Sequence, residues 1–115
     1  MALARAKLAD IAYVASSVGS IYANPASTKT YIKGFVLFNG NTTSELVKLY
    51  AVPDSAAALG TAGAGNQIAE MTLEAKSTMF LEFPSSLVLT DQNDSIQAVT
   101  TTASKVTVIV CGDKE

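Results

Sequence analysis

Histidine and tryptophan are absent from this 115-residue chain, cysteine occurs once, and only 16% of the residues are charged. Without histidine, no serine, cysteine or metal site built on imidazole can form. The lone Cys111 excludes a disulfide scaffold or a cysteine-rich zinc site within one chain, and fits a reducing compartment or a small buried hydrophobe. Eight basic and ten acidic residues give a net charge of -2, the wrong balance for a nucleic-acid footprint. No segment reaches the roughly 18 uninterrupted apolar residues of a transmembrane helix. Arg5, Lys7 and Asp10 break up residues 1–13, so secretion through a signal peptide is not expected.

What is present favours sheet. Valine, isoleucine and threonine number 10, 6 and 12, and such β-branched side chains pack better on a pleated surface than in a helix. A chain of this length suits one domain that stands without a staple. Its charge content falls below the roughly 25–35% usual on a small domain's surface. Either the surface is polar and neutral, made of Thr, Ser and Asn, or much of it is covered by other subunits, where unpaired charge is costly.

Residues 1–10 are too short for a stable free helix and read as a single helical turn or, in preference and over residues 1–17, as an extended arm that docks on the body or on a neighbour. Strands are expected at residues 20–23, 30–38, 45–52, 67–73, 78–83, 87–89, 95–101 and 105–111. Pro84 should interrupt the chain between two of these, and Gly112 should end the last. The strand at 30–38 is apolar on both faces, and Gly34 within it suggests a bulge or a close backbone approach. Asn39-Gly40-Asn41 reverses the chain, making the strands on either side natural hairpin partners, with an inter-sheet arrangement also open. Asn93 is the best candidate for a left-handed conformation. Residues 54–65 form either a loop or a weak helical turn around residues 56–59. Seven or eight strands without crossover helices define an all-β fold: a two-sheet antiparallel β-sandwich, jelly-roll-like or immunoglobulin-like, over residues 18–115.

Catalytic and ligand motifs are thin. Gly60, Gly63 and Gly65 lack the following helix and Lys-Ser/Thr pair of a phosphate loop, since Asn66 and Gln67 follow and an apparent strand begins at Ile68. Glu70, Glu74 and Glu82 fall in or near different strands, as on exposed faces. Asp91, Asn93 and Asp94 resemble a calcium loop in composition only, without its spacing or late glutamate. Asn41-Thr42-Thr43 and Asn93-Asp94-Ser95 match the glycosylation pattern but are more simply turns. Tyr22, Tyr31, Tyr50, Phe35, Phe38, Phe80 and Phe83 follow strand periodicity, the pattern of a core or a subunit interface; a sugar-stacking platform is the alternative. No acid, base or nucleophile constellation emerges, so neither an enzyme nor a cofactor is expected.

The segments Ile21-Tyr22-Ala23-Asn24-Pro25-Ala26, Thr30-Tyr31-Ile32-Lys33-Gly34-Phe35-Val36-Leu37-Phe38-Asn39, Leu49-Tyr50-Ala51-Val52-Pro53 and Leu87-Val88-Leu89-Thr90-Asp91-Gln92-Asn93-Asp94-Ser95-Ile96-Gln97-Ala98 occur in this order. In that order and content the chain resembles the small β-sandwich structural proteins of tailed bacteriophages, which serve as capsid decoration (cement) proteins or as tail and baseplate components. Where those sequences commonly place glycine before the aspartate matching Asp94, this chain has Asn93, which also accepts positive φ. The resemblance implies a virion protein, assembled in the host cytoplasm as a homo-trimer or homo-dimer. Its partners would be the major capsid protein or neighbouring virion subunits, with no nucleic acid and no membrane. A carbohydrate- or surface-binding module is the competing class. The expected partner contacts are Leu3, Leu8 and Ile11 in the arm, and Leu59, Gly60, Gly63, Gly65 and Asn66 in the glycine-rich loop.

Overall fold

The β-branched stretches form strands throughout, and the computed structural model describes residues 4–8 and 11–115. In chain order the strands are β1 (Ala4–Lys7), β2 (Ala12–Tyr13), β3 (Gly19–Ala23), β4 (Thr30–Asn39), β5 (Glu45–Val52), β6 (Gln67–Leu73), β7 (Thr78–Leu89), β8 (Ser95–Thr100) and β9 (Val106–Lys114). Among the described residues there is no α-helix, only a single 3-10 turn, Ala64–Asn66, ahead of β6.

The strands build two antiparallel sheets. One runs β1-β9-β4-β7, with β2 also on β9; the other runs β3-β8-β5-β6. β1 and β2 are one interrupted edge strand, since β1 pairs with Cys111 to Lys114 of β9 and β2 with Thr107 and Val108. Between them the Leu8 amide donates to the Val110 carbonyl at 3.0 Å, and beyond them Val14 donates to Val106 at 2.8 Å. Counted so, each sheet has four strand positions and the pairings nest. The first position meets β9, β3 meets β8, β4 meets β7, and β5 meets β6. The β9–β4 and β8–β5 ladders then close the rolled ribbon. Nested pairing of this kind is the jelly roll, and it differs from the strand division of an immunoglobulin sandwich.

Three local expectations are corrected. β4 and β5 are not a hairpin; they lie in opposite sheets, and the Asn39 turn carries the chain across the end of the sandwich. Pro84 does not separate two strands. Gly34 pairs with Glu82 and Ile32 with Leu87, so residues 83–86 bulge out of one continuous β7. A proline has no N–H for a ladder, and a bulge is where an edge strand tolerates one. Gly112 does not end β9 but pairs with Ile32 inside it. A Cβ there would strike the Tyr31 carbonyl, and one on Gly34 would sit 2.5 Å from the Leu81 carbonyl. Both glycines therefore let backbones approach closely around the bulge.

Alternate side chains enter the core from both sheets. Ile32, Phe35, Leu37, Val106, Val108 and Val110 meet Tyr22, Val47, Leu49, Leu73, Ile96 and Ala98. Val14, from the expected arm, is fully buried among them, so the end of that segment belongs to the sandwich interior.

Buried amides hold the two ends. At one, the Asn39 side-chain amide donates to the carbonyls of Thr43 at 3.0 Å, Leu73 at 3.0 Å and Glu74 at 3.2 Å. Its Oδ1 accepts from the Asn41 amide at 2.9 Å. At the other, Asn24 Nδ2 donates to Thr28 and Asp91 carbonyls at 2.7 and 3.0 Å, while Thr30 Oγ1 donates to its Oδ1 at 2.6 Å. Replacing a buried donor while its acceptors stay buried costs their desolvation. Asn39→Ala should lose about 2–3 kcal/mol of stability in equilibrium denaturation; a loss below about 0.5 kcal/mol, the range of a neutral surface change, would contradict the clamp.

Candidate functional site

The two outer faces of the sandwich differ in chemistry. On the second sheet, Lys48 of β5 pairs with Glu70 of β6, Nζ to Oε1 at 3.8 Å, and Thr72, Tyr50 and Gln97 flank them. The loop between β5 and β6 folds back over this sheet. Gln97 is buried beneath it and donates from Nε2 to the Gly60 carbonyl at 3.0 Å.

On the first sheet, alternation turns apolar side chains to solvent. β4 sends Ile32, Phe35 and Leu37 inward, leaving Val36 and Phe38 outside. β7 sends Met79, Leu81 and Phe83 towards the core and Phe80 away from it. In register, Val36 lies between Ile109 and Phe80, while Phe38 lies between Thr107 and Thr78. Tyr13 extends the second row from the other side of Thr107. Phe80 is 68% exposed, Tyr13 61%, Ile11 60% and Phe38 39%. A hollow of about 340 Å³ opens beside the stripe, lined in part by Lys33, Gly34, Val36, Phe80, Glu82 and Cys111. Single exposed apolar residues are ordinary, but a contiguous set marks a surface kept for contact.

The expected contact residues fall in several places. Leu3 lies outside the described residues. Leu8 is half-buried and packs against the core, whereas Ile11 is exposed beside the apolar stripe. Leu59 is exposed at 49% on the loop over the opposite sheet. Gly60 is held against Pro53 and Val52, where a Cβ would strike the Pro53 carbonyl. Gly63 and Gly65 have open space around them. Asn66 ties the loop to itself, accepting from the Gly63 amide at 2.9 Å and donating to the Thr61 carbonyl at 3.2 Å. Of the loop and the weak helical turn expected around residues 56–59, the loop forms: Ser55 and Ala58 make an isolated bridge, and Ala56 and Ala57 between them take positive φ.

Sequence reasoning named Phe38 and Phe80 only among the aromatics of a core or subunit interface, and did not single out Tyr13 or Val36. The available signal was that Phe80 breaks step with Met79, Leu81 and Phe83, and that β4 is apolar on both faces. Of the other aromatics, Tyr22 and Phe35 are core, and Phe83 meets Phe35 edge-on with ring centroids 5.9 Å apart.

Carboxylates cluster at Asp54, Asp91 and Asp94, with one oxygen of each inside a 4.8 Å group. Asp94 is already engaged as a turn clasp. Its Oδ1 accepts from the Asp54 amide at 2.9 Å, and its Oδ2 from the amides of Thr90 at 3.2 Å and Asp91 at 2.9 Å. Asn93 beside it takes the expected positive φ, 66°. At the other end, Glu45 accepts from Asn41 Nδ2 at 3.0 Å, Thr100 Oγ1 at 3.2 Å and the Thr102 amide at 2.8 Å. Burial alone would raise both carboxyl pKa values, but these donors outweigh it and hold them below their ordinary values of 4.5 for Glu45 and 3.8 for Asp94.

Compared with protein-family models and with curated proteins, the sequence matches none. Among the described residues no helix is long and apolar enough to cross a membrane.

A carboxylate whose folded pKa is lowered contributes stability above its unfolded pKa and loses it as pH falls through the folded value. The sandwich should therefore lose stability from about pH 4.5 downward. Glu45→Gln should be less stable at neutral pH and flatter across the acid range in denaturation at stepped pH. An unchanged acid slope would contradict the role given to Glu45.

Proposed function

We propose that the protein is a structural component of a tailed-phage virion, a decoration (cement) protein that seats on the major capsid lattice through the outer face of its first sheet. The observation that carries this reading is the apolar stripe of Ile11, Tyr13, Val36, Phe38, Phe80 and Ile109. It stands in a chain poor in charge, opposite a face where Leu46 and Ile68 are exposed on either side of the Lys48–Glu70 pair and a loop covers one end. The jelly roll itself recurs in viral capsid proteins and in lectins, so it supports contact work without choosing the partner.

Reinforcement by such a protein is additive. Each copy buries a modest apolar patch across neighbouring capsid subunits, and the gain repeats at every equivalent lattice position. Contacts linked through the lattice raise effective concentration, so a weak individual patch can still reach full occupancy. Val36 and Phe38 on β4 and Ile109 on β9 lie on strands held on both sides by ladders, which keeps the centre of the patch preformed, with Phe80 and Tyr13 on the edge strands beside them. A tail or baseplate seat would use the same surface chemistry. A saccharide platform is less well supported, because the exposed rings stand among Val36, Ile109 and threonines and not among paired polar groups that would orient hydroxyls.

Deleting the arm is a poor test, since β1 and β2 complete a sheet and Leu8 packs on the core. Point changes on the exposed stripe avoid that. Phe38→Asp, and separately Ile11→Asp with Tyr13→Asp, should retain the circular dichroism spectrum yet lower occupancy on capsid shells assembled without the protein by tenfold or more in cosedimentation, because each buries an unpaired carboxylate. Undiminished occupancy would reject the seat. Failure of the unaltered protein to bind shells, together with its recovery on isolated tails, would move it to the tail.

A further inference from the structure

We infer that β7 is a self-pairing edge: two copies of the chain join antiparallel through Thr78 to Glu82, making one continuous sheet across a two-fold axis centred on Phe80. This stands on the strand edge and is independent of whether the partner is a capsid.

Each sheet of the sandwich ends in two edges, and an edge exposes a row of unpaired N–H and C=O groups that another strand can satisfy. Three of the four are blunted. The outermost position of the first sheet is broken between β1 and β2. β3 is five residues long and carries a register shift between Ser20 and Tyr22. β6 is irregular opposite Leu49 and Tyr50, its central Glu70 is paired with Lys48, and the Gln67 amide reaches the Ala69 carbonyl at 3.5 Å. β6 keeps an unbroken run of five, Ala69 to Leu73, but charged Glu70 lies inside it. The run Thr78 to Glu82 on β7 has no break or register shift and carries its one charge, Glu82, at its end. It is in unbroken register with β4 from Thr78 to Glu82, lies at the end of its sheet, and turns a 68%-exposed phenylalanine outward at its centre.

Geometry selects the partner and the register. An antiparallel ladder sets side chains of the same face opposite each other, so two copies of one edge must pair about an axis through a residue, not between residues. Pro84 and the bulge at residues 83–86 end the usable edge on one side, and the turn before Thr78 ends it on the other. Phe80 is the midpoint. An axis there places Phe80 against Phe80, Thr78 against Glu82 and Met79 against Leu81. It brings no proline into the ladder and no like charges opposite each other. Moving the axis to Glu82 would oppose two carboxylates and bring Pro84 into the ladder. A second copy supplies the same edge in return, which is the self-complementarity an isologous dimer requires. The pairing also runs the stripe of Ile109, Val36 and Phe80 straight across the axis, doubling the apolar face.

Five residues of ladder and one aromatic pair bury far less than the roughly 800 Å² per partner of a standard stable interface, so the dimer should be weak and concentration-dependent in solution. Sedimentation equilibrium of the full chain over a concentration series should show monomer–dimer exchange. Phe80→Lys sets two ammonium groups face to face and should raise the dissociation constant about tenfold or more with an unchanged circular dichroism spectrum. Phe80→Cys, in a Cys111→Ser background because Cys111 lies on the same face, should form a covalent dimer under mild oxidation. Directly opposed strand residues sit about 4.5–5.5 Å apart at Cα, within disulfide reach. A chain that stays monomeric at its highest soluble concentration and fails to cross-link would overturn the proposal. So would a dimer that survives Phe80→Lys, or one that cross-links through Phe38→Cys in place of Phe80→Cys, which would mean face-to-face packing.

Discussion

Crossing from one sheet to the other is the constraint this structure is organised around. From β2 onward, only the β5–β6 connection stays within a sheet. Each remaining connection carries backbone polar groups over an end of the core, where they must find partners. Asn39 and Glu45 meet them at one end, joining the starts of β5 and β7 to the ends of β4, β6 and β8. Asn24 and Asp94 meet them at the other, where the Asn93 amide also donates to the Asn24 carbonyl at 2.9 Å. Each end thus uses one buried amide, which both donates and accepts, and one carboxylate, which gathers several N–H donors at once.

With its ends clamped this way, the fold does not need its surface charges for stability. Only the Lys33–Asp113 contact, at 3.0 Å, joins a charged surface group to a buried carboxylate among the described residues. Exposed pairs such as Lys48–Glu70 add little. The low charge content is therefore compatible with a sound monomer, and on the first sheet's outer face it leaves Lys33 and Glu82 at the rim of the apolar stripe and not within it.

Local pattern carried the strands well and their partners poorly. Residues 45–52 and 67–73 read as strands from alternation and β-branching alone, and they are strands over those spans. Pairing is another matter, because β9 meets β1, β2 and β4 over long stretches of chain that no window of residues contains. Gly112 and Pro84 misled for the same reason. Read locally they are breakers, whereas in the sheet one admits the Tyr31 backbone and the other sits in a bulge. The contact surface was half legible. β4 announced apolar residues on both faces, but choosing the outward set required knowing that β7 and β9 lie beside it and align Phe80 and Ile109 with Val36. The glycine-rich loop looked available for a partner because its small residues carry no sign of what they cover. Gln97, thirty-odd residues away, supplies that sign by donating to Gly60.

These features divide the molecule by face. The second sheet carries its own loop over Gln97 and a charge pair at Lys48 and Glu70, whereas the first sheet exposes the longer run of aromatic side chains on which the proposed contact rests. An apolar stripe carried on paired strands loses less conformational freedom when it is covered than a flexible arm that must order as it binds. That economy suits a protein acting in many copies, since a preformed patch adds the same increment at each position it occupies. Leu8 and Val14 are already committed to the core, which is why the proposed seat is the sheet face and not the arm.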